Sequence, residues 1–169
     1  MMIQTSPRKA VVLWALDQAE ETVRELENKF PDTSCAREAL ALSRLWAQGS
    51  IKMPIARKAI IQCHAAVKSV DGKADIARFH AVGQACATVH TTKHAIGYPI
   101  YALTALIRDN GLDKCEEMVS SKLAHYRDRL LYWNQCYRDE SYKLASFLQE
   151  AKTEKAQTIE HIKLENSAG

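Results

Sequence analysis

Three side chains in the middle of this 169-residue chain are spaced for shared chemistry: Cys86, His90 and His94 recur at every fourth position. In a helix such positions project from roughly one side, and imidazoles on adjacent turns stand at a separation that lets both ligate one metal ion. His64, on a different predicted helix, supplies a third nitrogen if the two helices pack side by side. A three-His site leaves a coordination position open for a water that the metal activates. One reading is therefore a metal-dependent helical-bundle enzyme with His64, His90 and His94 as ligands of a divalent metal. The competing reading is structural. Six histidines make one such spacing unsurprising, and a buried imidazole is satisfied by a neighbouring hydroxyl or carbonyl. On that reading the protein uses no cofactor and has no catalytic residue.

Other catalytic templates are missing. The sequence contains no G-x-x-x-x-G-K-[ST] or G-x-G-x-x-G phosphate cradle, no G-x-S-x-G elbow, no H-E-x-x-H and no Glu-x-x-His pair of the kind a di-iron bundle needs. Its Asp and Glu residues fall mostly on the polar faces of predicted helices, so no carboxylate pair stands where burial would tune it for acid catalysis. Cys63 and His64 are neighbours in sequence and point in different directions on a helix. The five cysteines, Cys35, Cys63, Cys86, Cys115 and Cys136, are an odd number at long spacings. They read as small buried residues in a reducing cytosol.

The elements that would position these groups are helices. Val12, Leu16, Ala19, Val23, Leu26 and Phe30 alternate at spacings of four and three, with acids on the rest of the circumference. Ser6-Pro7 caps this run and Pro31 ends it, which predicts a helix over 7–29. Cys35, Ala39, Leu42 and Trp46 predict a second over 34–48, with Gly49 as a left-handed terminator. Pro54 opens a third over 53–70, closed by Asp71-Gly72. The fourth, Lys73 to Ile96, is rich in small residues and is expected to be central, and Gly97-Tyr98-Pro99 interrupts it or starts a new helix before Asp109-Asn110-Gly111 stops it. From Leu112 the apolar positions Cys115, Val119, Leu123, Tyr126, Leu130, Trp133 and Tyr137 predict one long helix, or two joined near 138–141. The expectation is all-α: a single helical bundle of six or seven helices over 7–150 with a long C-terminal helical segment, then a charged, frayed or disordered tail over 151–169.

Composition agrees. Six Gly and four Pro are few for a turn-rich fold, and apolar types make up 47% of the residues. A net charge of +3, interspersed along the chain, is too small for a nucleic-acid footprint. The apolar stretch Ala10 to Leu16 is too short to span a membrane or serve as a signal peptide, so a cytoplasmic protein is expected. Charge distribution is more telling: residues 51–111 carry eight basic and three acidic side chains, whereas the flanking thirds are each −1. This basic middle, with Lys52, Arg57, Lys58, Lys68 and Lys73, is a candidate docking surface for an acidic partner, set against a merely solvated basic face. Trp14, Trp46 and Trp133 read as core. The aromatic stripe of 112–137 offers a contact through which the chain could form a homo-oligomer, as a structural self-associating module would.

Particular runs of residues resemble a known family. Arg8-Lys9-Ala10-Val11-Val12-Leu13-Trp14-Ala15, Arg44-Leu45-Trp46-Ala47-Gln48-Gly49, Ala56-Arg57-Lys58-Ala59 followed by His64-Ala65-Ala66, and Ala87-Thr88-Val89-His90 with His94-Ala95-Ile96-Gly97 resemble a bacterial family of immunity proteins. These are small helical proteins of polymorphic and contact-dependent toxin systems. The resemblance covers about residues 8–107 and includes the positions of His64, His90, His94 and Gly97. The segment after Gly111 departs from it. The resemblance implies a cytoplasmic α-helical protein that binds and neutralises a cognate toxin, with no catalysis of its own.

Overall fold

A computed structural model describes residues 2–148. Seven α-helices lie among them, with no strand: α1 (Met2–Thr5), α2 (Arg8–Lys29), α3 (Cys35–Ala47), α4 (Met53–Ala65), α5 (Lys73–Ala87), α6 (Gly97–Asn110) and α7 (Glu116–Cys136). Short 3-10 turns follow α4 (Ala66–Ser69), precede α6 (Thr92–Ile96), precede α7 (Leu112–Lys114) and close the described chain (Ser146–Leu148). The architecture is an all-α bundle. The charged tail expected over 151–169 lies outside the described residues.

Two helices organise the core. Every residue from Ala10 to Leu16 except the half-buried Leu13 is buried, so the start of α2 is covered on nearly all sides. Its later turns bury only Gln18, Ala19, Thr22, Val23 and Leu26 and send their acids outward. Helix α5 packs against α2, α3, α4 and α6, and its Ala77, Ala81, Gly83 and Ala85 allow that close approach. At the centre, Trp14 meets Tyr98 and Tyr126 edge-on, with ring centroids 6.3 Å away in each case. Such pairs contribute about 0.5 to 1.5 kcal/mol beyond burial. Two of the polar atoms buried with these rings find partners, the Trp14 indole N–H donating to the Tyr126 carbonyl at 3.0 Å and the Tyr98 hydroxyl to the Gln18 carbonyl at 2.7 Å, whereas the Tyr126 hydroxyl is buried with no partner among the described residues.

Helix ends follow their local chemistry. Gly49 and Gly111 adopt φ of +77° and +80°, the left-handed conformation that ends α3 and α6 at little steric cost. The helix expected from Lys73 to Ile96 is instead divided. It stops at Ala87, Thr91 is extended, and a 3-10 turn leads into α6. Thr88 draws its hydroxyl back onto the Gln84 carbonyl at 3.1 Å, the local competition through which threonine weakens a helix end. Pro99, third in α6, sits in the first turn, where a missing N–H costs nothing.

The region after Gly111 also differs in part from its periodicity. Cys115, Tyr126, Leu130 and Trp133 are buried, but Leu112 is 77% exposed and Leu123 49% exposed. Only one side of α7 is covered, chiefly by α2. Beyond α7 the chain runs through successive turns, with the Asp139 N–H donating to the Cys136 carbonyl and the Tyr142 N–H to the Asp139 carbonyl, before the last 3-10 turn. It returns across the bundle end, with the Ala145 N–H donating to the Ala47 carbonyl at 2.7 Å and Leu148 fully buried. Among the described residues no helix is long and apolar enough to cross a membrane.

Candidate functional site: a histidine cluster beneath a basic helix

Helices α4 and α5 form an antiparallel pair around the Asp71-Gly72 turn, and His64 and His80 stand eight residues to either side of Gly72. Their Nδ1 atoms meet at 3.0 Å. One ring must donate its N–H to the lone pair of the other, so this bond requires that at least one Nδ1 be unprotonated. The His80 ring also lies 5.2 Å from that of Tyr101 on α6. Next along α5, Gln84 accepts a hydrogen bond at 2.9 Å from Nδ1 of His94. Burial, then the charges of His80 and His94, hold the His64 imidazole below its ordinary pKa; burial, then His90, does the same for His94.

Two glycines make room for this cluster. A Cβ added at Gly83 would overlap Cε1 and Nε2 of His64, and one added at Gly97 would stand 2.6 Å from Oε1 of Gln84. Gly83→Ala therefore sets a helix-propensity gain of about 1 kcal/mol against an overpacking cost of about 1 to 3 kcal/mol. The variant should lose net stability in urea denaturation while His64 is present. In a His64→Ala background the same change should be stabilising. Equal effects in both backgrounds would contradict this contact.

The residues singled out by spacing are only partly brought together. His64 and His94 join the cluster. His90 falls beyond the end of α5, exposed, with its ring stacked 6.2 Å from that of Trp46 at 25°. Arg8 donates to the carbonyls of Val89, His90 and Phe147 and so ties this turn to the returning C-terminal segment. Cys86 is fully buried, and burial pushes its thiol up to about 12. The row Cys86, His90, His94 is not a helix face, because α5 ends at Ala87. Among the described residues no group of three or more His, Cys, Asp or Glu side chains could hold a metal ion.

His80 was not among the residues that spacing picked out, although its symmetry with His64 about Gly72 is legible in the sequence. Cys35 is a second such case. It opens α3 half-buried, where the neighbouring Cys63 thiol, helped by the first backbone amides of the helix, lowers its pKa to about 7. The signal was a cysteine placed directly after Ser34 at a helix start.

The five cations of the basic middle fall on one hairpin. Lys52 precedes α4, Arg57 and Lys58 lie on it, Lys68 is in the turn that follows, and Lys73 opens α5. All five are exposed, and none enters an ion pair among the described residues. Arg37, Arg44, Arg78, Lys122 and Arg129, by contrast, are all paired with carboxylates. No Asp or Glu occurs between Glu38 and Asp71. Ile55 and Ile61, on α4 itself, are 51% and 55% exposed. A helix that shows water two isoleucines and unpaired cations has the composition of a contact surface, with apolar anchors and a charged rim.

Elsewhere a cleft of about 640 Å³ opens between α2, α6 and α7, with Thr22, Ala105 and Tyr126 among its lining residues. Its charges are largely matched: Lys122 pairs with Glu21 at 2.6 Å and Arg78 with Glu25 at 2.7 Å. The geometry there offers no nucleophile activated by a neighbouring base.

Comparison with known proteins adds one finding. A family model described as "Imm-5 like putative immunity protein" matches residues 1–129, a stretch that contains α1 to α6, most of α7, the histidine cluster and the basic hairpin. No curated protein and no solved structure matches the chain.

Proposed function

This chain belongs to the Imm-5-like immunity protein family, and from that premise we propose that it binds a cognate bacterial toxin in the cytoplasm and neutralises it without catalysis of its own. The observation that carries the reading is the unpaired cationic face of α4. Cations that serve folding are normally drawn into ion pairs, as Arg78 and Arg37 are here. The cations of the hairpin remain outside every ion pair of the described residues, and four of them, Lys52, Arg57, Lys58 and Lys68, fall in the acid-free stretch before Asp71. A toxin whose working surface is acidic would be steered to such a face, and Ile55 and Ile61 would supply the desolvated contact that sets the residence time. Lys52, Arg57, Lys58, Lys68 and Lys73 are the partner-binding residues on this reading, and occlusion of the toxin's working surface is the mechanism.

The test is genetic and direct. An immunity gene is expected beside the gene of its toxin. Inducing that neighbouring toxin domain in a sensitive bacterium should stop growth, and co-expressing this chain should restore it. Continued arrest, with both proteins present in soluble form, would defeat the proposal.

A further inference from the structure

We propose that His64 and His80 form an acid-sensitive latch that holds α4 on α5 at neutral pH and releases it when the pair takes up a second proton. The inference rests on geometry within this chain and does not depend on the toxin reading.

Three features make the pair a latch. The two Nδ1 atoms are 3.0 Å apart, which suits one shared proton; with both rings taken to imidazolium, two donors and two positive charges would face one another. The His64 ring lies directly over Gly83, so the contact is seated against the α5 backbone and has little room to slide. The neighbouring groups also give no relief. Facing the pair are His94 from the 3-10 turn before α6 and Tyr101 from α6, while Cys63 beside His64 donates to the Phe79 carbonyl and meets Cys35 of α3. None of these is an anion that would welcome an imidazolium at mildly acidic pH. Arg57, Lys58 and Lys68 add positive charge along the same helix and turn. Asp75, near the start of α5, is already held by Lys29 and Arg78 at 2.8 Å each.

The direction of the effect follows. His64 and His94 sit below their ordinary pKa in the folded state, so the unfolded chain binds their protons first as pH falls. The stability they contribute is complete above the unfolded value near 6.5 and is lost as pH drops through the lower folded values.

Amide hydrogen exchange on the full chain tests the latch, comparing peptides from α4 with peptides from α2 at about pH 7.5 and about pH 5.5, with labelling times scaled for intrinsic exchange. In the wild type α4 should lose about tenfold more protection than α2 on acidification. In His80→Gln, whose amide can still bond the His64 ring but does not titrate, that difference should shrink, since the burial of His64 remains. In His64→Gln, which removes the buried ring itself, it should vanish, and this serves as the second variant if the first folds poorly. Parallel changes in α2 and α4 of the wild type, an acid response in His80→Gln as large as that of the wild type, or one that survives in His64→Gln, would overturn the proposal.

Discussion

Replacing Arg57, Lys58 and Lys68 together with Glu is expected to weaken toxin binding by about two orders of magnitude or more, chiefly through a slower association rate. All three are exposed and outside every ion pair of the described residues, so their reversal should leave the fold intact. It changes the charge of the face by six. Reversing a steering field acts on encounter as well as on the bound state, and each reversed contact costs on the order of 1 kcal/mol. The binding should also change its salt dependence. Wild-type affinity should fall as ionic strength rises, whereas the variant should respond weakly or in the opposite sense. Surface-immobilised toxin and a salt series would read both effects. Unchanged affinity in the variant would place the interface elsewhere.

Arg78→Met is expected to cost about 3 kcal/mol of folding stability, measured by urea denaturation. The Arg78 side chain is only 10% exposed and holds Glu25 of α2, Asp75 of its own helix and Asp109 at the end of α6. It thus ties three helices at one point beside the cleft. Methionine keeps the aliphatic volume but leaves three carboxylates close together, with Lys29 on Asp75 as their remaining counter-ion among the described residues. The penalty arises from those stranded charges. Adding Asp75→Asn to Arg78→Met should therefore recover part of the loss, although Asp75→Asn alone should destabilise the wild type. A loss below about 1 kcal/mol for Arg78→Met would mean that solvent screens the cluster.

Much of the fold was legible because helices announce themselves by period and punctuation. The stripe from Val12 to Leu26 and the stops at Pro31, Gly49 and Gly111 all correspond to observed boundaries or buried faces. The break after Ala87 was not legible. Val89 and Ala95 are both fully buried, so burial keeps apolar residues on both sides of the break and the sequence pattern runs through it. Pro99 illustrates the same limit: a proline reads as an interruption from sequence, but in the first turn of α6 it is tolerated. The exposure of Leu123 depends on which sides of α7 find a neighbour, and Leu112 falls in the 3-10 turn before that helix; spacing along the sequence does not contain that information.

The candidate site was half legible for a related reason. Histidine spacing within a single segment drew the eye to His90 and His94, but the decisive partner of His64 comes from the opposite arm of a helical hairpin. The rule that would have found His80 is reflection about a turn: residues equidistant from Gly72 on antiparallel helices face one another. Gly83 and Gly97 read simply as small residues, and their reason becomes visible only with the His64 ring and the Gln84 amide lying where a Cβ would stand. The basic hairpin was visible as composition; that its five cations remain unpaired required the fold.

The central claim, that this chain captures a toxin through the face of α4, is tested most directly by calorimetric titration of the purified chain into the toxin domain encoded beside its gene. The account predicts saturable one-to-one binding with a Kd of about 10 nM or tighter at low salt, weakened by added salt and by the triple Glu variant. Absence of binding at concentrations of about 10 μM, with both proteins folded, would contradict it.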